Sequence, residues 1–307
     1  HGQSGYLQSL HFWGHYLFDM LREQKGWGWW TQQVRNPDSW EGYYWGAKHV
    51  WGFDDTLGEP YQDAVWDDVL EHSEMVIFSG NDPEATGFGM SGSIALEMPK
   101  WLKKAGIKIV AIAPDLNHAA AVHADTWIPI KPNTDAALYL AIAHVWIAEG
   151  TYDKGYIDTH TVGFEALNAH VMGEDDGLEK TPKWASKVTG IPSATIKALA
   201  REWAAKKTTV SVYFGGPKIR GTLSHLTARM EAYVLAMQGF GSPGRQFLRT
   251  GAPSFYKKSL AQVPRYPDVD FHGLAFSPMI EYAIGHGPKS PVFIPRTLAA
   301  EAIQQRT

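Results

Sequence analysis

From Met75 onward the chain alternates short apolar runs, polar turns and longer stretches with helical spacing. The runs at 75–78, 107–112 and 125–130 are rich in Val and Ile and are bounded by Gly, Pro, Asn and Asp. Runs of this kind read as buried parallel strands, because helices cover both faces of such a strand and no polar alternation is needed. Between them, 94–105 has helical spacing with Pro99 as a point of kinking. Residues 135–149 form an apolar helix with Thr134 as its N-cap and Gly150 closing it. Residues 152–161 and 181–206 read as helical, with Pro192 placed near a helix start. A further strand is predicted at 208–214, then a long apolar helix at 223–238, ended by Gly239-Phe240-Gly241-Ser242-Pro243-Gly244. Beyond 251, Pro and Gly are frequent and periodicity is lost, which predicts a loop-rich tail.

Alternation of strand, loop and helix predicts an α/β fold: a doubly wound Rossmann-like domain with helices on both faces of a parallel sheet. In such sheets ligands sit beyond the carboxyl ends of the strands. The polar turns 79–83, 114–117 and 132–135 follow three strand ends and so predict one crevice. Its backbone N–H groups and the helix start at Thr134 favour phosphate or another anion. Ordinary turn chemistry accounts for any one of these turns taken alone, but less well for three in register. The first strand runs directly into the turn 79–83 rather than into Gly-x-Gly-x-x-Gly, the Gly-rich connection 87–92 coming only after that turn, and no Gly-x-x-x-x-Gly-Lys-Ser/Thr loop occurs, which disfavours a nicotinamide dinucleotide or an ordinary ATP site.

Composition narrows the chemistry. The 307 residues are 44% hydrophobic and 20% charged, enough to bury a sizeable core. A net charge of −4 gives no general attraction to nucleic acid. Without cysteine the chain itself holds no disulfide, Cys-ligated zinc, thiol nucleophile or iron–sulfur cluster. No run of about 18 apolar residues predicts a membrane-spanning helix. The chain opens at His1 without a signal-like segment, so a piece of a longer protein is expected, with cytoplasmic and periplasmic locations both open.

Ahead of the first strand the sequence is aromatic and polar. Residues 6–22 read as a helix interrupted by Gly14. His11 and His15 lie one helical turn apart, but without the intervening carboxylate of a zinc-protease helix they read as pocket histidines rather than metal ligands. The stretch 36–49 combines Asp38, Ser39, Glu41 and His49 with Trp40, Tyr43, Tyr44 and Trp45, broken by Pro37, Gly42 and Gly46. It reads either as packed aromatic loop or as the wall of a buried polar pocket.

Several motifs occur in a telling order: Ser79-Gly80-Asn81-Asp82-Pro83, Ala113-Pro114-Asp115, Ala124-Asp125-Thr126-Trp127-Ile128-Pro129-Ile130, Pro132-Asn133-Thr134-Asp135-Ala136-Ala137-Leu138, Thr181-Pro182-Lys183-Trp184-Ala185 and Gly239-Phe240-Gly241-Ser242-Pro243-Gly244. Over about two hundred residues, 38–245, this series resembles the central part of the large subunit of the dimethyl sulfoxide reductase family of molybdopterin oxidoreductases. Two departures are Ala113, where the family usually has Asp, and Asn133, where it commonly has Gly.

The resemblance implies a metal centre, molybdenum or tungsten, on two molybdopterin guanine dinucleotides. It implies a Rossmann-like domain at 41–206 inserted in a second α/β domain formed by 1–40 and 207–307, within a larger multidomain subunit. The cofactor would be lined by Gly80, Asn81, Asp82, Pro83, Pro114, Asp115, Pro132, Thr134 and Asp135. Asp38-Ser39-Trp40 is most similar to the branch of pyrogallol–phloroglucinol transhydroxylase and the catechol dehydroxylases. That similarity implies Ser39 as the protein ligand to the metal, Asp38 as an acid/base and Trp40 as an aromatic wall. The branch's catalytic histidine would be one of His1, His11 and His15, with His11 taken forward, and its tyrosine Tyr256 or Tyr266, with Tyr266 taken forward. A hard alkoxide suits an oxophilic metal, a carboxylate can move a phenolic proton, and an aromatic ring can stack on a phenol. The implied function is oxidoreduction or hydroxyl transfer on a small polyphenol, with an iron–sulfur electron-transfer subunit as the expected partner. Two alternatives remain: an S- or N-oxide reductase of the same family, and a non-catalytic subunit that keeps the fold.

Overall fold

The computed structural model describes Gly46, Val50 and residues 65–85, 94–212, 216–218, 221 and 223–249. The helix expected at 6–22, the loop-rich tail beyond 251 and the stretch 36–49 apart from Gly46 lie outside these residues.

Five parallel strands form one sheet in the order β3-β2-β1-β4-β5. They are β1 (Met75–Ser79), β2 (Lys108–Ala113), β3 (Thr126–Pro129), β4 (Thr208–Val212) and β5 (Phe247–Arg249). Every residue of β1 is buried, as expected of a central strand covered on both faces. Successive side chains point to opposite faces. Met75 and Ile77 therefore enter one core, and Val76 and Phe78 the other.

On the second face lie α1 (Val65–His72) and α2 (Ile94–Lys104), with Val69, Met98 and Leu102 fully buried against Val76, Phe78 and Ile109. The first face carries α3 (Asp135–Glu149), α6 (Pro182–Thr189), α7 (Ser193–Ala205) and α8 (Ser224–Met237). Two shorter helices, α4 (Lys154–His160) and α5 (Phe164–Met172), extend this layer. Trp146 of α3 and Trp203 of α7 meet edge to face, ring centroids 5.5 Å apart. Each buried indole N–H has a partner: Trp146 Nε1 donates to the carbonyl of Ala200 at 2.7 Å, and Trp203 Nε1 to Gln238 Oε1 at 2.8 Å. Gln238 Nε2 donates in turn to the carbonyl of Thr208, joining the end of α8 to the start of β4. These bonds let two large rings be buried without leaving orphan donors.

The doubly wound α/β fold is as expected, with particular differences. The stretch 181–206 is two helices, because Gly190 takes a left-handed φ of 79° and Pro192 has no N–H to continue a ladder. Thr134 precedes α3 but does not cap it with its side chain; its hydroxyl donates to the carbonyl of Lys131 at 2.7 Å instead. The helices α1 and α5, a π-helical turn Ala119–His123 and the three-residue strand β5 were not expected from periodicity. The division drawn at 206/207 does not coincide with a break in the sheet, since β4 and β5 lie beyond it and β4 pairs with β1. Among the described residues no helix is long and apolar enough to cross a membrane.

Candidate functional site

All five strands run the same way, so the turns after β1, β2 and β3 emerge at one edge of the sheet. In register, Ser79 pairs with Ile112 and Ala113 with Pro129, which brings 79–83, 114–117 and 132–135 side by side. The order reverses between β1 and β4, and that reversal is the switch point at which open α/β sheets hold ligands.

Asn81 stands at this point, 5% exposed. Its Nδ2 donates to Ser211 Oγ of β4 at 3.3 Å across the switch, while its Oδ1 is buried with no hydrogen-bond partner. A buried amide oxygen left unpaired costs on the order of 1–3 kcal/mol, so this acceptor is suited to a donor brought by a ligand. Gly80 before it has φ 65°, a left-handed turn that brings backbone to the crevice without a side chain.

Asp82 serves the turns themselves. Its Oδ1 accepts the N–H groups of Glu84 and Ala85, and its Oδ2 accepts His118 N–H at 2.8 Å, tying the first turn to the second. His123 Nε2 lies 3.1 Å from Glu84 Oε1, close enough to attract but out of line for a hydrogen bond. Pro83 is buried, whereas Pro114, Asp115 and Pro132 are exposed at the rim. In the third turn Asn133 has φ 62°, the left-handed conformation that Gly adopts without cost and Asn tolerates better than most residues. Its side chain lies against Gly221, where an added Cβ would come within 2.7 Å of Asn133 Oδ1.

Beneath the crevice runs a buried polar chain whose members lie far apart in the sequence. Lys218, in the 3-10 turn Gly216–Lys218, is 1% exposed, and its Nζ donates to both carboxylate oxygens of Glu231 at 2.8 Å. Tyr139 O–H donates to Glu231 Oε2 at 3.0 Å and lies 2.6 Å from Ser79 Oγ. Burial, followed by the Glu231 charge, pushes the Tyr139 phenol well above its ordinary value. Tyr139 therefore keeps its proton, directs it to Glu231, and accepts from Ser79. One signal was available: Glu231 is the lone acid in an apolar helical run.

Asp135, 4% exposed, borders this chain at the first turn of α3. Burial raises its carboxyl to about 7; a hydrogen bond from its own backbone N–H and the charge of Lys218 oppose the rise, and Glu231 adds to it. Lys218 and Glu231 already balance one another, so a third charge there would be uncompensated.

Asp38, Ser39, Trp40, His11 and Tyr266, with His1, His15 and Tyr256, lie outside the described residues. Gly46, which follows the Ser39 segment, packs on α8; a Cβ on it would lie 2.6 Å from the carbonyl of His225 and 2.7 Å from Ala228 Cβ. Among the described residues, His170, Asp175 and Asp176 could converge on a metal, but they are engaged with one another and with Lys180: His170 Nδ1 is 3.0 Å from Asp175 Oδ2, and Asp176 accepts twice from Lys180 Nζ.

Comparison with known proteins adds a family. The molybdopterin oxidoreductase family matches residues 46–290. The chain is 38% identical over 260 residues to the pyrogallol hydroxytransferase large subunit of Pelobacter acidigallici, covering 81% of this chain and 29% of that one. It is 36% identical over 183 residues to a putative dimethyl sulfoxide reductase chain of Escherichia coli (strain K12), covering 55% and 22%. It is 30% identical over 203 residues to the trimethylamine-N-oxide reductase of Haemophilus influenzae, covering 65% and 24%. Acetylene hydratase from Pelobacter acetylenicus aligns over 65% of this chain and 24% of its own, with a TM-score of 0.47 and 20% identity. The chain thus spans less than a third of the length of these relatives.

Proposed function

Because this chain belongs to the molybdopterin oxidoreductase family, we propose that its sheet-edge crevice holds one guanine dinucleotide arm of a bis-molybdopterin cofactor, in an enzyme that transfers hydroxyl groups or electrons at a polyphenol. The observation that carries this reading is the unpaired, buried Asn81 Oδ1 at the switch point between β1 and β4. The residues present fit such a group: an orphan acceptor for an N–H of a heterocycle, two left-handed backbone turns at Gly80 and Asn133, and the amino end of α3 beside them. With the Asp135 carboxyl raised to about 7, its negative charge is reduced near neutral pH, which leaves the positive end of α3 to favour a phosphate. Gly80, Asn81, Pro114, Asp115, Pro132 and Thr134 would line the arm, while Asp82, Pro83 and Asp135 hold the turns in place.

When bound, the cofactor supplies two-electron redox chemistry at an oxophilic molybdenum or tungsten. Ser39 Oγ is the protein ligand in this proposal, a hard oxygen donor for a hard metal. Asp38 holds or moves the phenolic proton, with His11 and Tyr266 as its helpers, and the Trp40 indole stacks on the substrate ring. An iron–sulfur electron-transfer subunit is the partner this reading expects, supported by the similarity to a protein named as a large subunit. The Asp38-Ser39-Trp40 sequence and the 38% identity to a pyrogallol hydroxytransferase subunit support the phenolic substrate. The similarity to S- and N-oxide reductases supports the second reading, reduction of an oxide.

In the complete protein, Ser39→Ala is expected to lower metal content and abolish turnover. Unchanged metal content and activity would remove Ser39 from the metal. Turnover on pyrogallol but not on dimethyl sulfoxide is expected, and the reverse result would replace the phenolic reading with the oxide one. Asn81→Ala is expected to lower the guanine nucleotide released per protein on denaturation; full occupancy would refute the role of its amide.

A further inference from the structure

On the helical face of the sheet, α3, α4, α5 and α8 enclose a cavity of about 390 Å³, within the range of small-molecule sites. None of its lining comes from the turns 79–83, 114–117 or 132–135, though Ala136 of α3 directly follows the third. Its walls are mainly apolar, with Leu140, Phe164, Leu167, Met230 and Met237 among them, and Val162 at its rim is fully exposed. Arg229 stands in one wall. Among the described residues this half-buried guanidinium donates to the phenol oxygen of Tyr233, from Nε at 3.3 Å and Nη2 at 3.2 Å, and meets no carboxylate.

A guanidinium offers five N–H donors in a fork that matches a carboxylate, and pairs with one bidentately where it can. Half-buried arginines without an acid are therefore unusual in apolar walls. Elsewhere in the lining, the His170 ring is already engaged, its Nδ1 lying 3.0 Å from Asp175 Oδ2. An anionic ligand is accordingly drawn to Arg229. The remaining volume suits one ring, for which Phe164 supplies an aromatic face and Met230 and Met237 supply polarizable sulfur.

We propose that this cavity is a binding site for a single-ring aromatic carboxylate, its carboxylate on Arg229 and its ring among Phe164, Leu167 and the two methionines. The test is calorimetric titration of the complete protein with benzoate and, separately, with benzyl alcohol. Benzoate is expected to bind saturably and at least about tenfold more tightly than the alcohol, since only the anion gains a charge-assisted pair. Arg229→Gln should abolish that preference. Ala166→Phe, an exposed α5 position lining the cavity, should block both ligands while leaving the fold intact. Equal affinity for acid and alcohol, undiminished benzoate binding by Arg229→Gln, or no saturable binding by the complete protein would each overturn the proposal.

Discussion

Replacing Asp135 by Asn tests whether a buried carboxyl sits protonated at the start of α3. The carboxyl titrates near 7 in the fold, chiefly through burial, against about 3.9 in an unfolded chain. Below pH about 4 it is protonated in both states and contributes no pH dependence. As pH rises from there, the unfolded chain releases the proton and the folded one does not, so stability falls until the folded carboxyl ionises near pH 7. The full gap corresponds to roughly 4 kcal/mol. Asn has the same shape and keeps an oxygen to accept the backbone N–H, but it does not titrate. The stability of Asp135→Asn relative to the natural protein should therefore be about 2–3 kcal/mol greater at pH 8 than at pH 5. Urea unfolding at several pH values, followed by the fluorescence of the buried Trp146 and Trp203, measures it. A difference that stays constant within about 0.5 kcal/mol across that range would refute the reasoning.

Lys218→Met should destabilise the protein by about 3–5 kcal/mol, because it removes the cation that donates to both Glu231 carboxylate oxygens in the core, whereas Lys218→Met with Glu231→Leu should recover most of the loss; thermal unfolding of both variants decides it. Asn133→Val should cost about 1–2 kcal/mol, since a β-branched residue is strained at a φ of 62°, while Asn133→Gly should stay close to the natural protein. Equal melting temperatures for the two Asn133 variants would argue against backbone strain as the cause.

The departure at Asn133 shows how sequence and structure divide the explanation. The resemblance leads one to expect Gly at this turn, and the left-handed φ of Asn133 is a conformation that Gly and Asn both reach more readily than other residues. Thr134 shows the opposite case. Its type and position suit an N-cap, yet its hydroxyl turns back to Lys131, a choice made by the turn and invisible to propensity. The strand β5 is only three residues long, too short for any periodicity, and exists because β4 offers it an edge.

By itself the sequence determined the strands β1 to β4, the helices α2, α3, α4 and α8, and the clustering of polar turns at strand ends. These follow from local runs of apolar residues and from turn chemistry, both of which are written in consecutive positions. The family, too, was legible from the order of short motifs. Only the tertiary structure decided which polar residues keep an unpaired atom at the sheet edge and which serve the fold. Asp82 and Asp135 stand in the expected turns, yet one is consumed by backbone N–H groups and the other is buried against an ion pair contributed by residues 218 and 231. Those partners lie about a hundred residues away in sequence, and the energy of a buried charge depends on what surrounds it, so its role is settled only when distant segments meet.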